Sequence, residues 1–228
     1  MKHLSEEETR DGFRLACTTR LGASTVIHVP LRSRISSQRL QTAGLEVSVK
    51  LDPQVKKYRI TMPTPSLQDS RADEDRLLAS LSEQHGLPAP EIDMEVYRSL
   101  PNVLREAKWD ATAVVWNDRI IALEPGDTSE RCYGLAVDVG TTKLAGFLVD
   151  LKNGGVVSVA ARMNPQIPFG EDVMSRVSHI MNEGWGALTK LQDAVVSGVN
   201  EIIGECCEKT DASPDEIYEL NFVGNTVM

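Results

Sequence analysis

The chain has 228 residues, and its 24 Lys and Arg against 33 Asp and Glu give a formal net charge of −9. With 41% hydrophobic and 25% charged residues it has the composition of a globular protein, and its length suits one large domain or two modest ones. No apolar run approaches the roughly 18–20 residues of a membrane span, and the first residues lack the apolar stretch of a secretory signal. An acidic chain with 5% aromatic residues also lacks the features typical of nucleic-acid binding. We therefore expect a cytoplasmic protein that binds neither membrane nor nucleic acid.

The first 45 residues divide into two zones. Residues 1–17 begin with an acidic helical start, in which Ser5 and Glu8 have capping-box spacing, and they end at Cys17. Residues 18–45 contain four arginines and no acidic residue, and only 24–30 reads as a short strand, which a proline ends. We expect this second zone to be an extended linker.

Residues 46–127 are predicted to form a small α+β domain. Gly86 is the expected C-terminal stop of its first helix, and Pro101 lies where it could split the second. Asn117-Asp118 suits a tight hairpin turn because both residues tolerate positive φ. The predicted elements are a strand at 55–62, helices at 70–85 and 93–106, and strands at 111–116 and 119–123.

Residues 131–228 are predicted to be α/β. The longest helix carries an apolar stripe whose steps of three and four residues are typical of a helix buried on one side. The stripe consists of Leu188, Leu191, Val195, Val199, Ile202 and Cys206. Ser213-Pro214-Asp215-Glu216 has the residues of a capped helix start. The predicted elements are strands at 134–139, 144–151 and 156–162, helices at 170–182 and 187–209, and a last strand at 219–223.

The four cysteines show no spacing typical of a disulfide framework or a zinc site. Cys206 and Cys207 are adjacent, and no C-x-x-C pair occurs. Base rates for free cysteine favour small buried thiols at Cys132, Cys206 and Cys207.

The most informative motif is Val137-Asp138-Val139-Gly140-Thr141-Thr142-Lys143. It lies between two apolar strands, and this predicts the turn of a β-hairpin. Gly140 lets backbone amides approach an anion, Thr141 and Thr142 add hydroxyl donors, and Lys143 adds positive charge. Asp138 is suited to hold Mg²⁺ through its water shell, so we predict a phosphate cradle. The alternative is a polar turn without a ligand, since the same residues are common in turns.

The Asp138-x-Gly140-Thr141-Thr142 motif between two strands resembles the first phosphate loop of the acetate kinase, sugar kinase and actin superfamily (the ASKHA ATPases). The element order matches the first half of its RNase-H-like domain. More specifically, the chain resembles the reductive activators of corrinoid proteins. The segments that carry this resemblance are 135–143, Asn164-Pro165-Gln166 followed by Gly170 to Arg176, and Val223-Gly224-Asn225-Thr226-Val227-Met228.

The resemblance implies an architecture and an activity. Members of that family join a 2Fe–2S ferredoxin domain, a linker and a middle domain to an ATPase domain, and use ATP to reduce corrinoid Co(II) to Co(I). The resemblance implies that 1–17 is the tail of the ferredoxin domain, with Cys17 as an iron ligand, and that 131–228 begins the ATPase domain. It implies Mg·ATP at Asp138, Gly140, Thr141, Thr142 and Lys143, a corrinoid protein as partner, and leaves a homodimer open.

The sequence departs from the family pattern at both ends. Three further cluster cysteines would lie before Met1, and the second phosphate loop would lie after Met228. We therefore expect a fragment that holds no cluster alone and binds ATP weakly.

Two other functions remain open from the sequence. One is a metabolite kinase or ATPase of the same superfamily without a cluster, in which Asp138 could be a general base. The other is an interaction module with a ligand-free hairpin. A structural role is favoured for Asn164-Pro165-Gln166, and His179, off the apolar helix face, is expected to be solvated.

Overall fold

The computed structural model describes residues 50–226 together with Glu7, Arg10 and Gly22. Apart from Glu7 and Arg10, the predicted ferredoxin tail with Cys17 lies outside the described residues, and so does the predicted strand at 24–30. Residues 50–226 contain eight strands and four α-helices. In chain order they are β1 (Val55–Thr61), α1 (Asp73–His85), β2 (Glu91–Ile92), α2 (Met94–Glu106), β3 (Asp110–Trp116), β4 (Arg119–Pro125), β5 (Tyr133–Val139), β6 (Lys143–Asp150), β7 (Val156–Met163), α3 (Val173–Glu183), α4 (Trp185–Thr210) and β8 (Ile217–Gly224).

The first sheet has the strand order β1-β3-β4-β2 and packs against α1 and α2. Alternate residues of β1 and β3 point into the core, as the period of a strand requires. The two-residue strand β2, parallel to β4, was not predicted. The core residues include Ile60, Leu77, Leu81, Leu100, Leu104, Trp109, Ala113 and Ile120.

Local sequence signals set the ends of both helices in this domain. Gly86 ends α1 in the left-handed conformation, with φ of 68°, as predicted. The Asp93 side chain accepts a hydrogen bond from the Glu95 amide and caps α2. Pro101 does not split α2, because Leu100 and Leu104 on either side of it are buried in the core and keep the helix in place.

The second sheet has the strand order β7-β6-β5-β8. Strands β5, β6 and β7 form an antiparallel meander, and the chain then crosses through α3 and α4 before β8 pairs parallel to β5. The order of these elements along the chain is the predicted one, and the predicted α/β and α+β class is confirmed. The core between the sheet and α4 includes Leu135, Val137, Leu144, Leu148, Val199, Ile202 and Cys206.

Some local predictions differ from the structure. Leu188, predicted to be buried in the α4 stripe, is 39% exposed because that end of the helix borders a cavity. Residues Pro214–Glu216 form a 3-10 turn with a capping box, as the predicted capped helix start requires. The predicted burial of Cys132, Cys206 and Cys207 is confirmed. Between residues 50 and 226, no helix is both long and apolar enough for a membrane span.

A buried polar cluster, which we call the Glu124 cluster, joins the two sheets. Lys57 on β1, 1% exposed at its side chain, forms an ion pair of 2.7 Å with Glu124 on β4. The hydroxyls of Tyr218 on β8 and Thr128 both donate to the Glu124 carboxylate. Burial, and then the hydrogen bond to Glu124, raise the pKa of Tyr218 well above 10, and burial raises the pKa of the neighbouring Cys132 to about 11.

Replacing Tyr218 by Phe tests this cluster. The change removes one donor from a half-buried carboxylate, so we expect the free energy of unfolding to fall by about 1–3 kcal/mol near pH 8. Because the pKa of Tyr218 is higher in the folded than in the unfolded chain, its contribution is complete below pH about 10 and is lost as the pH rises further. Denaturant unfolding from pH 8 to 11 should therefore show the wild-type advantage shrinking.

Tyr133 provides the matched control, because its hydroxyl makes no hydrogen bond within residues 50–226. Tyr133→Phe should change the free energy of unfolding by less than about 0.5 kcal/mol at every pH. An equal effect of the two substitutions would contradict the role of the Glu124 cluster.

Candidate functional site

The predicted Gly-Thr-Thr turn connects β5 to β6. Strand β5 ends at Val139 and β6 begins at Lys143, so the connection consists of Gly140, Thr141 and Thr142. The amide of Gly140 donates to the carbonyl of Lys143 at 2.9 Å and closes the turn. A Cβ at Gly140 would lie 2.8 Å from that same carbonyl oxygen, so only glycine fits this closed turn.

The carbonyls of loop 140–143 are all bonded from within the protein. In addition to the Lys143 carbonyl, those of Gly140 and Thr142 accept from Asn164, through its side-chain amide and its backbone amide, each at 2.8 Å. The Thr141 carbonyl accepts from the guanidinium of Arg176 at 2.5 Å. The negative ends of the loop dipoles are therefore neutralised from inside.

The backbone amides of Thr141 and Thr142 are available as hydrogen-bond donors within the described part of the chain. Neither donates to an acceptor within residues 50–226, and Thr142 is exposed. In a loop whose carbonyls are bonded to the rest of the protein, two consecutive amides without an acceptor can donate to the same anion. Phosphate binding at this loop stays a prediction, with the two backbone amides as the expected donors.

Asp138 lies beside this loop on an exposed position of β5. Its carboxylate makes no hydrogen bond or ion pair to another residue of the 50–226 range. In the parallel pairing with β8, Asp138 faces Val223 and Val139 faces Gly224, so β8 ends at the same edge as the loop. This placement lets Asp138 hold the waters of a magnesium ion next to a phosphate, and Lys143 opens β6 at the other side.

Residues 164–166 support the loop from behind. Asn164 and Gln166 are 1% and 4% exposed, and the Asn164 side chain also accepts from the Gln166 amide at 2.9 Å. The Gln166 side chain donates to the Leu191 carbonyl of α4 at 3.0 Å. These contacts agree with the structural role favoured for this segment.

Arg176 was missed as a site residue. It is 5% exposed on α3, and burial lowers the pKa of its guanidinium. The sequence held a signal: Arg176 follows Val173 by three residues and precedes Ile180 by four, which places it on the inner face of the helix. His179, expected to be solvated, is instead half-buried beside Phe169, with a ring distance of 5.6 Å.

The described residues fit Mg·ATP better than they fit an iron–sulfur cluster. The amides of Thr141 and Thr142, which have no acceptor within residues 50–226, suit phosphate oxygens. The Asp138 carboxylate suits a hydrated magnesium ion. By contrast, no group of three or more His, Cys, Asp or Glu suited to a metal occurs among the described residues. Cys17, the predicted iron ligand, lies outside them.

The fold and the loop define a mixed α/β protein that presents a Gly-Thr-Thr hairpin at one edge of its second sheet. The family model for the RACo linker region matches residues 44–130, and that for the RACo middle region matches 133–228. The chain belongs to the RACo family of reductive activators of corrinoid proteins.

Two similar proteins are longer than this chain. The corrinoid activation enzyme RamQ of Eubacterium limosum is 29% identical over 216 residues, which cover 94% of this chain and 35% of RamQ. The solved structure of a reductive activator for corrinoid, iron-sulfur protein is 31% identical with a TM-score of 0.67, over 99% of this chain and 38% of that one. The chain thus spans little more than a third of the length of either.

Replacing Asn164 by Ala tests the support of the loop. The change leaves the Gly140 carbonyl and the buried Gln166 amide without partners, so we expect a loss of about 2–4 kcal/mol in the free energy of unfolding. Asn153→Ala is the matched control, because Asn153 also makes two local hydrogen bonds but is exposed. It should cost about 1 kcal/mol or less in urea unfolding. Equal losses would show that loop 140–143 does not depend on Asn164.

Proposed function

We propose that this chain belongs to an ATP-dependent reductive activator of corrinoid proteins, in which loop 140–143 binds the phosphates of Mg·ATP. In the whole protein, a 2Fe–2S cluster held outside the described residues would supply the electron for the reduction of corrinoid Co(II) to Co(I). Two observations support this function: membership of the RACo family, and the two free amides of Thr141 and Thr142. The partner would be the corrinoid protein of a methyltransferase system.

The contribution of this chain is to bind nucleotide and to convey its binding. The amides of Thr141 and Thr142 would donate to phosphate oxygens, Asp138 would orient the waters of Mg²⁺, and Lys143 would add positive charge. Magnesium supplies charge neutralisation when it is bound. Nucleotide binding can change the affinity of the activator for its partner only if the nucleotide binds two conformations of the activator with different affinities.

Replacing Asp138 by Ala tests the proposed site. We expect the wild-type chain to bind Mg·ATP with a dissociation constant in the millimolar range, detected by shifts of the Thr141 and Thr142 amides in ¹⁵N spectra. Asp138→Ala should weaken Mg·ATP binding about tenfold, which corresponds to about 1.4 kcal/mol. The two proteins should bind ATP in EDTA equally, because Asp138 acts through magnesium.

Asp193→Ala is the charge-matched control, because Asp193 is exposed on α4 and makes no ion pair within the described residues. It should leave the affinity unchanged. Equal affinity of wild type and Asp138→Ala for Mg·ATP would remove the role of Asp138, and micromolar affinity of the 228-residue chain would refute the expected weak binding.

The redox part of the proposal requires a form of the protein as long as its relatives. Such a protein should show the absorption of a 2Fe–2S cluster and, once reduced, should convert Co(II) to Co(I) in a corrinoid protein only with ATP. A full-length protein without that absorption would contradict the activator function and favour a kinase or ATPase.

A further inference from the structure

We propose that Arg176 is a positioning residue that sets the conformation of loop 140–143, an inference that rests on the proposed phosphate binding at this loop. The guanidinium joins three parts of the chain. It donates to the Thr141 carbonyl at 2.5 Å, to the Gln166 side chain at 3.0 Å and to the Gly170 carbonyl at 2.9 Å. A planar group with fixed donor directions thereby orients the loop carbonyl.

Gly170 brings Arg176 within reach of the loop. This glycine follows the 3-10 turn Ile167–Phe169, and a Cβ on it would lie 2.7 Å from the Arg176 backbone nitrogen. Any side chain at 170 would therefore push the start of α3 away. The Asp172 side chain caps the same helix end by accepting from the Ser175 amide at 2.7 Å. Gly170 and the Asp172 cap together set the position of the Arg176 backbone.

Hydrogen bonds, more than packing, hold the side chain of Arg176. It lines a cavity of about 290 Å³ between α3 and α4, whose other walls include Val177, Leu188, Leu191 and Val195. Because there is free space on this side, apolar contacts alone do not fix the guanidinium. Its position depends on the oxygens that it binds, among them those of Thr141, Gln166 and Gly170.

This arrangement links α3 to the phosphate-binding amides. The peptide unit that contributes the Thr141 carbonyl also contributes the Thr142 amide, so a hydrogen bond at the first fixes the direction of the second. Arg176 thereby aims the Thr142 N–H outward. A shift of α3 would turn this peptide plane and change phosphate affinity without touching the ligand.

Two substitutions separate position from charge. Arg176→Met removes both, and Arg176→Lys keeps the charge but cannot reach three acceptors at once. Arg162→Met is the matched control, because Arg162 on β7 is paired with Glu201 and Glu205 instead of the loop. We would measure Thr141 carbonyl ¹³C shifts, order parameters of Thr141 and Thr142, and the dissociation constant of Mg·ATP.

Without nucleotide, Arg176→Met should move the Thr141 carbonyl shift and lower both order parameters from about 0.85 toward about 0.6. The amide of Ile202 in the core should keep its position, which shows that the domain remains folded. Mg·ATP binding should weaken about tenfold. Arg176→Lys should recover only part of each effect, and Arg162→Met should show none.

The outcomes distinguish the two proposals. If Mg·ATP does not move the wild-type Thr141 and Thr142 amides, phosphate binding fails, and the ligand-free order parameters still decide the role of Arg176. Unchanged order parameters in Arg176→Met, or full recovery in Arg176→Lys, would overturn the positioning role. If Arg176→Met does not fold, Arg176→Lys is compared with wild type. Lower order parameters of Thr141 and Thr142 in Arg176→Lys then support the positioning role, and unchanged ones overturn it.

Discussion

The site depends on one constraint: each of the four carbonyls in loop 140–143 accepts a hydrogen bond from inside the protein. Buried carbonyls need partners, and Gly140, Asn164 and Arg176 supply them. These bonds satisfy the loop carbonyls, whereas the Thr141 and Thr142 amides donate to no acceptor within residues 50–226.

The crossover between β7 and β8 brings the end of β8 to the sheet edge that carries loop 140–143. Strand β8 returns parallel to β5, so both strands end at the loop. Tyr218, near the start of β8, is bound to Glu124 of the first sheet. Strand β8 therefore runs from the Glu124 cluster at its start to the sheet edge that carries loop 140–143 at its end.

The sequence predicted the elements better than it predicted their contacts. Apolar alternation and glycine stops gave nearly all strands and helices, because those signals depend on residues close in the chain. Strand β2 was missed, since two residues are too few to show a period. The loop was found from the residues of its own turn. Asn164 and Arg176 were not assigned to it because they lie more than 20 residues away, and their contacts exist only once β7, α3 and the hairpin have packed together.

The buried polar groups behind the loop also explain why the cavity between α3 and α4 is tolerated. A tightly filled core at this point would fix α3 by its apolar side chains. Here Val177, Leu191 and Val195 line open space, while Gln166 and Arg176 hold the helices through directional bonds. Such bonds hold one geometry without close packing, and through Arg176 they connect α3 directly to the loop.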